Sequence, residues 1–360
     1  MVEPSESKKA LFAPVPHSEW ITSVTAALKG QRIADRLVSR SSDGIEIQPL
    51  YMDNGTGSVV PGQVVPGTVA PGNVLPGHVR RWSRRESLGP CSSAEALAKI
   101  SRANSFGIDS FSCEPCAPDS QTAILGLAAQ LDCEVHFTDW ASAQVASERL
   151  GLGLAGSTPV RTKDLTSELI ADWRQSKTRP LLQRASSSDE QEQGAGAQLQ
   201  LALCLWRAAR WLREATRQGL SLEEAGASLE LEVSLGTDLY LEIAKLRALR
   251  MAYTKLLAAC SHAQPIPCRI HAKTSARAWT VRDPWVNGLR GTTIAFAAAV
   301  GGADSIMIAP FDAMIGVPNE EALRLARNTH AILTSESHMA AVQDPAAGSG
   351  YVEALTGDLA

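Results

Sequence analysis

The chain has 360 residues, 44% hydrophobic and 20% charged, with a formal net charge of -4, so it can bury one large core or two ordinary ones and presents no global positive field for nucleic acid. No apolar run approaches the roughly 18 residues of a membrane span; the longest, Ile294 to Val300, reads as a helix of small residues. Seven cysteines scattered through a chain that opens Met1-Val2-Glu3-Pro4-Ser5, with no basic and apolar leader, predict reduced thiols and a cytoplasmic protein.

Residues 1–55 read as an N-terminal arm. Trp20, Val24, Ala27 and Leu28 mark an amphipathic helix, and 45–51 an extended piece. Residues 56–90 read as a tether: Pro-Gly recurs at Pro61-Gly62, Pro66-Gly67, Pro71-Gly72 and Pro76-Gly77, a type II turn signal that builds no core. Near its end Arg80, Arg81, Arg84 and Arg85 surround Trp82, a basic cluster expected to be solvated or partner-facing rather than bound to nucleic acid.

From 91 to 360, strand-like runs alternate with amphipathic helices. Eight strands are predicted, at 106–113, 133–137, 151–155, 180–183, 229–233, 268–272, 305–309 and 340–342. A helix over 238–257 carries Leu239, Ile243, Leu246, Leu249, Tyr253 and Leu256 as one buried stripe, with Asp238 as its N-cap. Eight strand–helix units predict an α/β fold of the (β/α)8 TIM-barrel type with function on the loops after the strands, a doubly wound open sheet being the alternative. Cys113-Glu114-Pro115-Cys116 is a lone CxxC; one pair makes no zinc site, and no metal ligand set is predicted.

The polar groups concentrate where strands run into helices. Arg269-Ile270-His271-Ala272-Lys273-Thr274-Ser275 and Arg282-Asp283-Pro284-Trp285-Val286-Asn287-Gly288-Leu289-Arg290-Gly291-Thr292 place His271, Lys273, Thr274, Asp283, Asn287 and Arg290 at the expected barrel mouth. His271 has the chemistry of a general acid or base, but no base or nucleophile stands beside it in sequence, and local hydrogen bonding is its simpler role; no catalytic residue is assigned. Asp283-Pro284 reads as an N-cap followed by a first-turn proline. Ala347-Gly348-Ser349-Gly350 is a glycine-rich turn of the kind whose N–H groups can cradle a phosphate.

These stretches, with Phe311-Asp312, Ala326-Arg327-Asn328-Thr329, Glu242-Ile243-Ala244-Lys245-Leu246-Arg247-Ala248 and Asp344-Pro345-Ala346-Ala347-Gly348-Ser349-Gly350-Tyr351-Val352-Glu353, resemble the methylmalonyl-CoA mutase family. The wording Arg282-Asp283-Pro284-Trp285-Val286-Asn287 most resembles that family's small, non-catalytic subunit. The likeness covers 20–51 and 219–360. It implies a degenerate barrel with an extended N-terminal arm and no cobalamin-binding domain, because the family's Asp-x-His-x-x-Gly motif is missing. The family's catalytic Tyr–His pair would fall within 186–193, which reads Ser-Ser-Ser-Asp-Glu-Gln-Glu-Gln. Its corrin-seating Gln and acidic residue stand here as Asp304 and Ala313. Lys245 and Arg247 would lie near acyl-CoA phosphates in an active homologue and are expected here as surface or interface charges.

The resemblance therefore implies an isomerase subunit inactive by itself. It would be the small partner of an adenosylcobalamin-dependent methylmalonyl-CoA mutase, which interconverts methylmalonyl-CoA and succinyl-CoA, in a heterodimer with the catalytic large subunit. The arm would wrap that partner, adenosylcobalamin would sit in the partner, and this chain alone would bind no cofactor. The alternative implication is the acyl-CoA-binding catalytic chain of a split mutase, with cobalamin carried on a second polypeptide.

Overall fold

The computed structural model describes residues 15–41, 43–51, 82–89, 92–113, 118–131, 133–137, 167–175, 181–260, 266, 268–342 and 344–360, in two units, Met1–Met52 and Asp53–Ala360. In the first unit α1 (His17–Ala27) and α2 (Ile33–Arg36) precede an antiparallel hairpin of β1 (Ser39–Arg40) and β2 (Glu46–Ile47). The hairpin turn is local chemistry. Ser41 Oγ accepts the N–H groups of Asp43 and Ile45, and Gly44 takes φ +79°, which a side chain would resist. The predicted helix is present, yet no residue of α1 is buried.

The second unit begins with β3 (Ser83–Ser87), α3 (Ser93–Ser105), β4 (Ser110–Cys113), α4 (Pro118–Leu131) and β5 (Glu134–Phe137). It continues through α5 (Ser167–Gln175), β6 (Gln183–Ser186), α6 (Ser188–Glu192), α7 (Ala197–Arg217), α8 (Leu222–Ala227) and β7 (Leu229–Leu235). Then come α9 (Leu239–Ala259), β8 (Arg269–Thr274), α10 (Val286–Gly301), β9 (Ser305–Met307), α11 (Glu320–Ala331) and α12 (Gly350–Leu359).

The strand order is β5-β4-β3-β9-β8-β7-β6, with every pairing parallel. The first strand of the unit pairs with the last, Ser83 opposite Ser305, and the order descends in sequence on both sides of that seam. This is the neighbour relation that a TIM-type barrel requires. The strand predicted at 151–155 lies outside the described residues.

Three expectations are corrected. Residues 340–342 form no strand; Ala341 N–H donates to the His338 carbonyl in a turn. The range 56–90 is not tether to its end, because Ser83–Ser87 is a strand at the seam of the sheet. The basic cluster there is not a solvated segment: Trp82 and Arg85 are buried, while Arg80 and Arg81 lie outside the described residues.

Helices pack on the outer face of the sheet by apolar contact. Leu88, Ile100, Ile108, Phe111, Ile124 and Val135 join α3 and α4 to β3, β4 and β5, and α3 is held at its start by a capping box of Ser92 and Glu95. Helix α9 departs from the one-stripe expectation. Every residue from 241 to 250 is buried, since α7, α10 and α12 enclose it together. Asp238 is its N-cap, accepting from Leu241 N–H.

Candidate functional site

Strand β7 reads Leu-Glu-Leu-Glu-Val-Ser-Leu, and all seven residues are buried. Side chains alternate across a strand, so when leucines pack under helices the glutamates point to the barrel interior. Arg85 from β3 reaches Glu230 with its Nη1 and Nη2 at 3.0 and 2.9 Å from the two carboxylate oxygens. Its Nε donates to Ser110 Oγ on β4, and Nη2 lies 2.8 Å from His136 Nε2 on β5. Arg184 from β6 pairs with Glu230 at 3.1 Å and Glu232 at 3.2 Å, and Lys273 from β8 closes on Glu232 at 3.1 Å. His271 shares a 3.1 Å hydrogen bond with Ser305 Oγ on β9. Side chains from all seven strands thus meet in one ion-paired cluster.

The cluster sets its own protonation. Burial and the Arg85 guanidinium push His136 down to about 4, so its Nε2 accepts from Arg85. Burial and Arg85 likewise hold His271 well below the ordinary histidine value. Burial opposes the charge of Glu230 and Glu232, yet Arg85 and Arg184 hold Glu230 well below the usual carboxylate range, and Arg184 and Lys273 do the same for Glu232.

Of the residues expected at the barrel mouth, the structure brings His271 and Lys273 into this cluster. Thr274 is buried and accepts from Ala309 N–H at 2.9 Å, tying β8 to the chain after β9. Asn287 is a clamp: its Oδ1 accepts from Thr280 N–H, and its Nδ2 donates to the carbonyls of Thr280 and Phe311. Arg290 donates to the Ala278 carbonyl at 2.6 Å, Trp279 Nε1 to that of Pro310, and Trp285 stacks on Phe311 at 4.6 Å. The Arg282–Gly291 wording is therefore a staple between the loops after β8 and β9. Asp283 is exposed and is not the N-cap, since α10 starts at Val286 with Trp285 in the cap position and no side-chain cap.

Lys245 and Arg247 are not surface charges. Lys245 is buried, its Nζ 2.6 Å from Glu242, 3.0 Å from Gln200 Oε1 and 2.9 Å from the Ser234 carbonyl. Arg247 is buried against Asp344 at 3.1 Å, Glu353 at 2.7 Å and Thr356 at 2.9 Å. The glycine-rich turn is occupied by the chain itself, Gly348 N–H donating to Glu353 at 3.2 Å. Asp304 precedes β9 at the N-terminal edge of the sheet, where its Oδ2 accepts from Arg250 and from Ile270 N–H. Within 186–193, Ser186 and Ser188 both donate to Glu232, Glu190 pairs with Arg207, and Glu192 accepts the N–H groups of Ala276 and Arg277.

Sequence reasoning missed Arg85, His136, Arg184, Glu230 and Glu232. The Leu-Glu-Leu-Glu alternation of β7 was the available signal. Among the described residues no group of three or more His, Cys, Asp or Glu is placed to hold a metal ion, and no helix is long and apolar enough to cross a membrane. Cys113 is a buried thiol, and Cys116 lies outside the described residues.

A family profile described as methylmalonyl-CoA mutase matches residues 169–360. The methylmalonyl-CoA mutase small subunit of Streptomyces virginiae is 44% identical over 169 residues, 47% of this chain and 27% of that protein. The probable small subunit of Mycobacterium tuberculosis is 40% identical over 172 residues, 46% and 28%. Methylmalonyl-CoA mutase of Escherichia coli is 34% identical over 167 residues, 46% and 23%. The matched region thus spans about a quarter of the length of these relatives. A dihydropteroate synthase structure from Anaplasma phagocytophilum superposes with a TM-score of 0.41 at 14% identity, over 70% of this chain and 99% of that one. On a profile match over more than half of its residues, the chain belongs to the methylmalonyl-CoA mutase family, and within it resembles the members named small subunit.

Proposed function

We propose that this chain is a non-catalytic barrel of the small-subunit kind, which stabilises the catalytic subunit of a methylmalonyl-CoA mutase. The filled interior carries this reading. An acyl thioester lying along the axis would have to part Arg85 from Glu230 and Arg184 from Glu232, and stranding such buried charges costs several kcal/mol. A general base must reach the proton it takes; His136 and His271 are instead buried among the cluster's own charges.

The described residues of the barrel interior also do not fit a corrinoid. When bound, adenosylcobalamin supplies a cleavable Co–C bond and the radical chemistry that follows. A cobalt ligand needs a presented imidazole, whereas His136, His271 and His330 are buried and hydrogen-bonded. His17 stacks on Trp20 in the arm, and His338 stands on an exposed turn. The cofactor then belongs to the partner. The same occupied axis weighs against the split-mutase reading, which requires this barrel to take up acyl-CoA.

The arm supports association. Residues of α1 remain accessible, Trp20 and Val24 only half-buried, and a half-exposed tryptophan on an amphipathic helix is a common anchor in a partner's groove. Co-expression with a catalytic mutase subunit followed by size-exclusion chromatography tests the proposal. A shared peak and a raised melting temperature of the catalytic subunit are expected. Separate elution would overturn the assembly, and turnover by this chain alone with adenosylcobalamin would overturn its non-catalytic character.

A further inference from the structure

A cavity of about 670 Å³ opens at the C-terminal ends of β3 and β9, between those strands and the inner faces of α3 and α11. Its cause is residue size. On α11 the positions Leu323, Ala326, Arg327 and His330 share one face, and where the helix would meet the sheet it presents Ala326 to Ala309, Ala313 and Gly89. Four small residues leave a space that larger side chains would fill.

The deep polar groups are already engaged. Arg327 holds Glu86 through two bonds of 2.7 and 2.8 Å, and His330 Nδ1 accepts from Trp82 Nε1. The remaining lining is largely apolar: Met307 and Leu323 are partly accessible on its wall, and Leu88, Ile108 and Ile308 are buried behind it. The mouth differs. Lys99 Nζ donates to the Leu88 carbonyl at 2.8 Å and has two further protons to give. Glu95, one turn before it, is folded onto Ser92. Arg102 meets Glu320 at 3.0 Å with both side chains more than half exposed, at 55% and 56%, an arrangement that an arriving anion can share. Arg85 borders the cavity but spends its guanidinium on Glu230. Among the described lining residues, the cations Lys99, Arg102 and Arg327 therefore face two carboxylates, Glu86 and Glu320. The rim adds Val317, an apolar side chain 93% exposed to solvent.

We propose that this cavity binds a medium-chain, unbranched monocarboxylate, its carboxylate on Lys99 and Arg102 and its hydrocarbon chain among Leu88, Ile108, Met307 and Leu323. The volume lies in the range of small-molecule sites, and an apolar pocket with a few convergent polar groups is their usual composition. The site meets the interior cluster at Arg85 but draws nothing from it, so the proposal stands whether or not the chain assists a mutase.

Calorimetry of the full chain with decanoate, decan-1-ol and acetate tests it. Decanoate should saturate one site per chain, decan-1-ol should bind about tenfold more weakly for want of a charge-assisted hydrogen bond, and acetate should not bind. Lys99→Met should bring decanoate to the level of decan-1-ol, and Lys99→Arg should restore the difference. Ala326→Trp, with Leu323→Trp as a second filling variant, should abolish uptake of both while a thermal melt confirms folding. Absence of saturable decanoate uptake by the wild-type chain would overturn the proposal, as would equal affinity for decanoate and decan-1-ol or undiminished uptake by a folded filling variant.

Discussion

Arg85 on β3 and Glu230 on β7 are joined by two hydrogen bonds across the barrel interior, although β9 and β8 lie between their strands in the sheet. Both side chains are almost fully buried, at 1% and 3% exposure. Removing one partner strands the other's charge, so Glu230→Gln should destabilise the barrel by about 3–5 kcal/mol. A joint replacement, Arg85→Met with Glu230→Leu, should recover most of that loss, because apolar pairs often replace buried ion pairs without penalty. Urea denaturation of the three proteins is the check; a single variant as stable as the wild type would mean the pair is not holding the strands.

Acid should weaken the fold before its carboxylates titrate. Burial and the Arg85 charge put His136 at about 4, burial puts His330 at about 3, and His271 is lowered in the same way. Each titrates near 6.5 when unfolded. Below about pH 6.5 the unfolded chain takes up protons that the folded chain refuses, so stability present above that value is lost as pH falls toward the folded values, at up to about 1.4 kcal/mol per pH unit for each group. The depressed carboxylates Glu230 and Glu232 act in the same direction, but only below about pH 4.3. Denaturant midpoints between about pH 7.5 and about pH 5 should decline steadily, and His330→Gln should reduce the slope by one proton. A flat profile over that interval would contradict neutral, buried histidines.

Much of this architecture was legible, and the failures share a cause. Strands β7, β8 and β9 were found where apolar residues recur, and the Arg282–Gly291 wording identified the family. Ser83–Ser87 reads as tether because Ser-Arg-Arg-Glu-Ser contains no apolar residue. In the fold its charges are cancelled at a distance, Arg85 by Glu230 and Glu86 by Arg327, partners 145 and 241 residues away in sequence. Hydrophobic periodicity reads burial only where burial is apolar. For the same reason Lys245 and Arg247 looked like surface charges, whereas Glu242, Asp344 and Glu353 neutralise them inside. Asp283 was misplaced more locally, since the helix that Asp-Pro announces starts three residues after the aspartate.

Lys245→Met separates a structural lysine from a ligand contact. The side chain is surrounded by Glu242, Gln200 and the Ser234 carbonyl, and its loss leaves the buried Glu242 without its cation. A destabilisation of about 3–5 kcal/mol is expected. A surface phosphate contact would predict a melting temperature unchanged from the wild type, so differential scanning calorimetry decides between the roles.

Asn287→Ala should loosen the staple between the loops after β8 and β9. Three hydrogen bonds disappear, and the carbonyls of Thr280 and Phe311 lose a buried donor; unsatisfied groups of this kind cost about 1–3 kcal/mol. Limited proteolysis should then cut within 276–285 at a rate well above that of the wild-type protein. An unchanged cleavage pattern would show that Trp279 and Arg290 hold the loop by themselves.

Two glycines on α10 should respond to alanine with opposite signs. At Gly301 an added Cβ would lie 2.8 Å from Leu246 Cδ1 and 3.1 Å from the Ile243 carbonyl oxygen. Leu246 is wholly buried and the carbonyl belongs to the backbone of α9, so neither can retreat without moving the helix. Gly301→Ala should therefore cost about 1–3 kcal/mol through overpacking. At Gly288 nothing lies within 4 Å of the same added atom, the position is helical, and alanine loses less backbone entropy on folding than glycine. Gly288→Ala should stabilise by about 0.5–1 kcal/mol. Chemical denaturation of the two variants measures both effects, and a neutral Gly301→Ala would mean that α9 and α10 can slide apart, contrary to the close approach at this crossing.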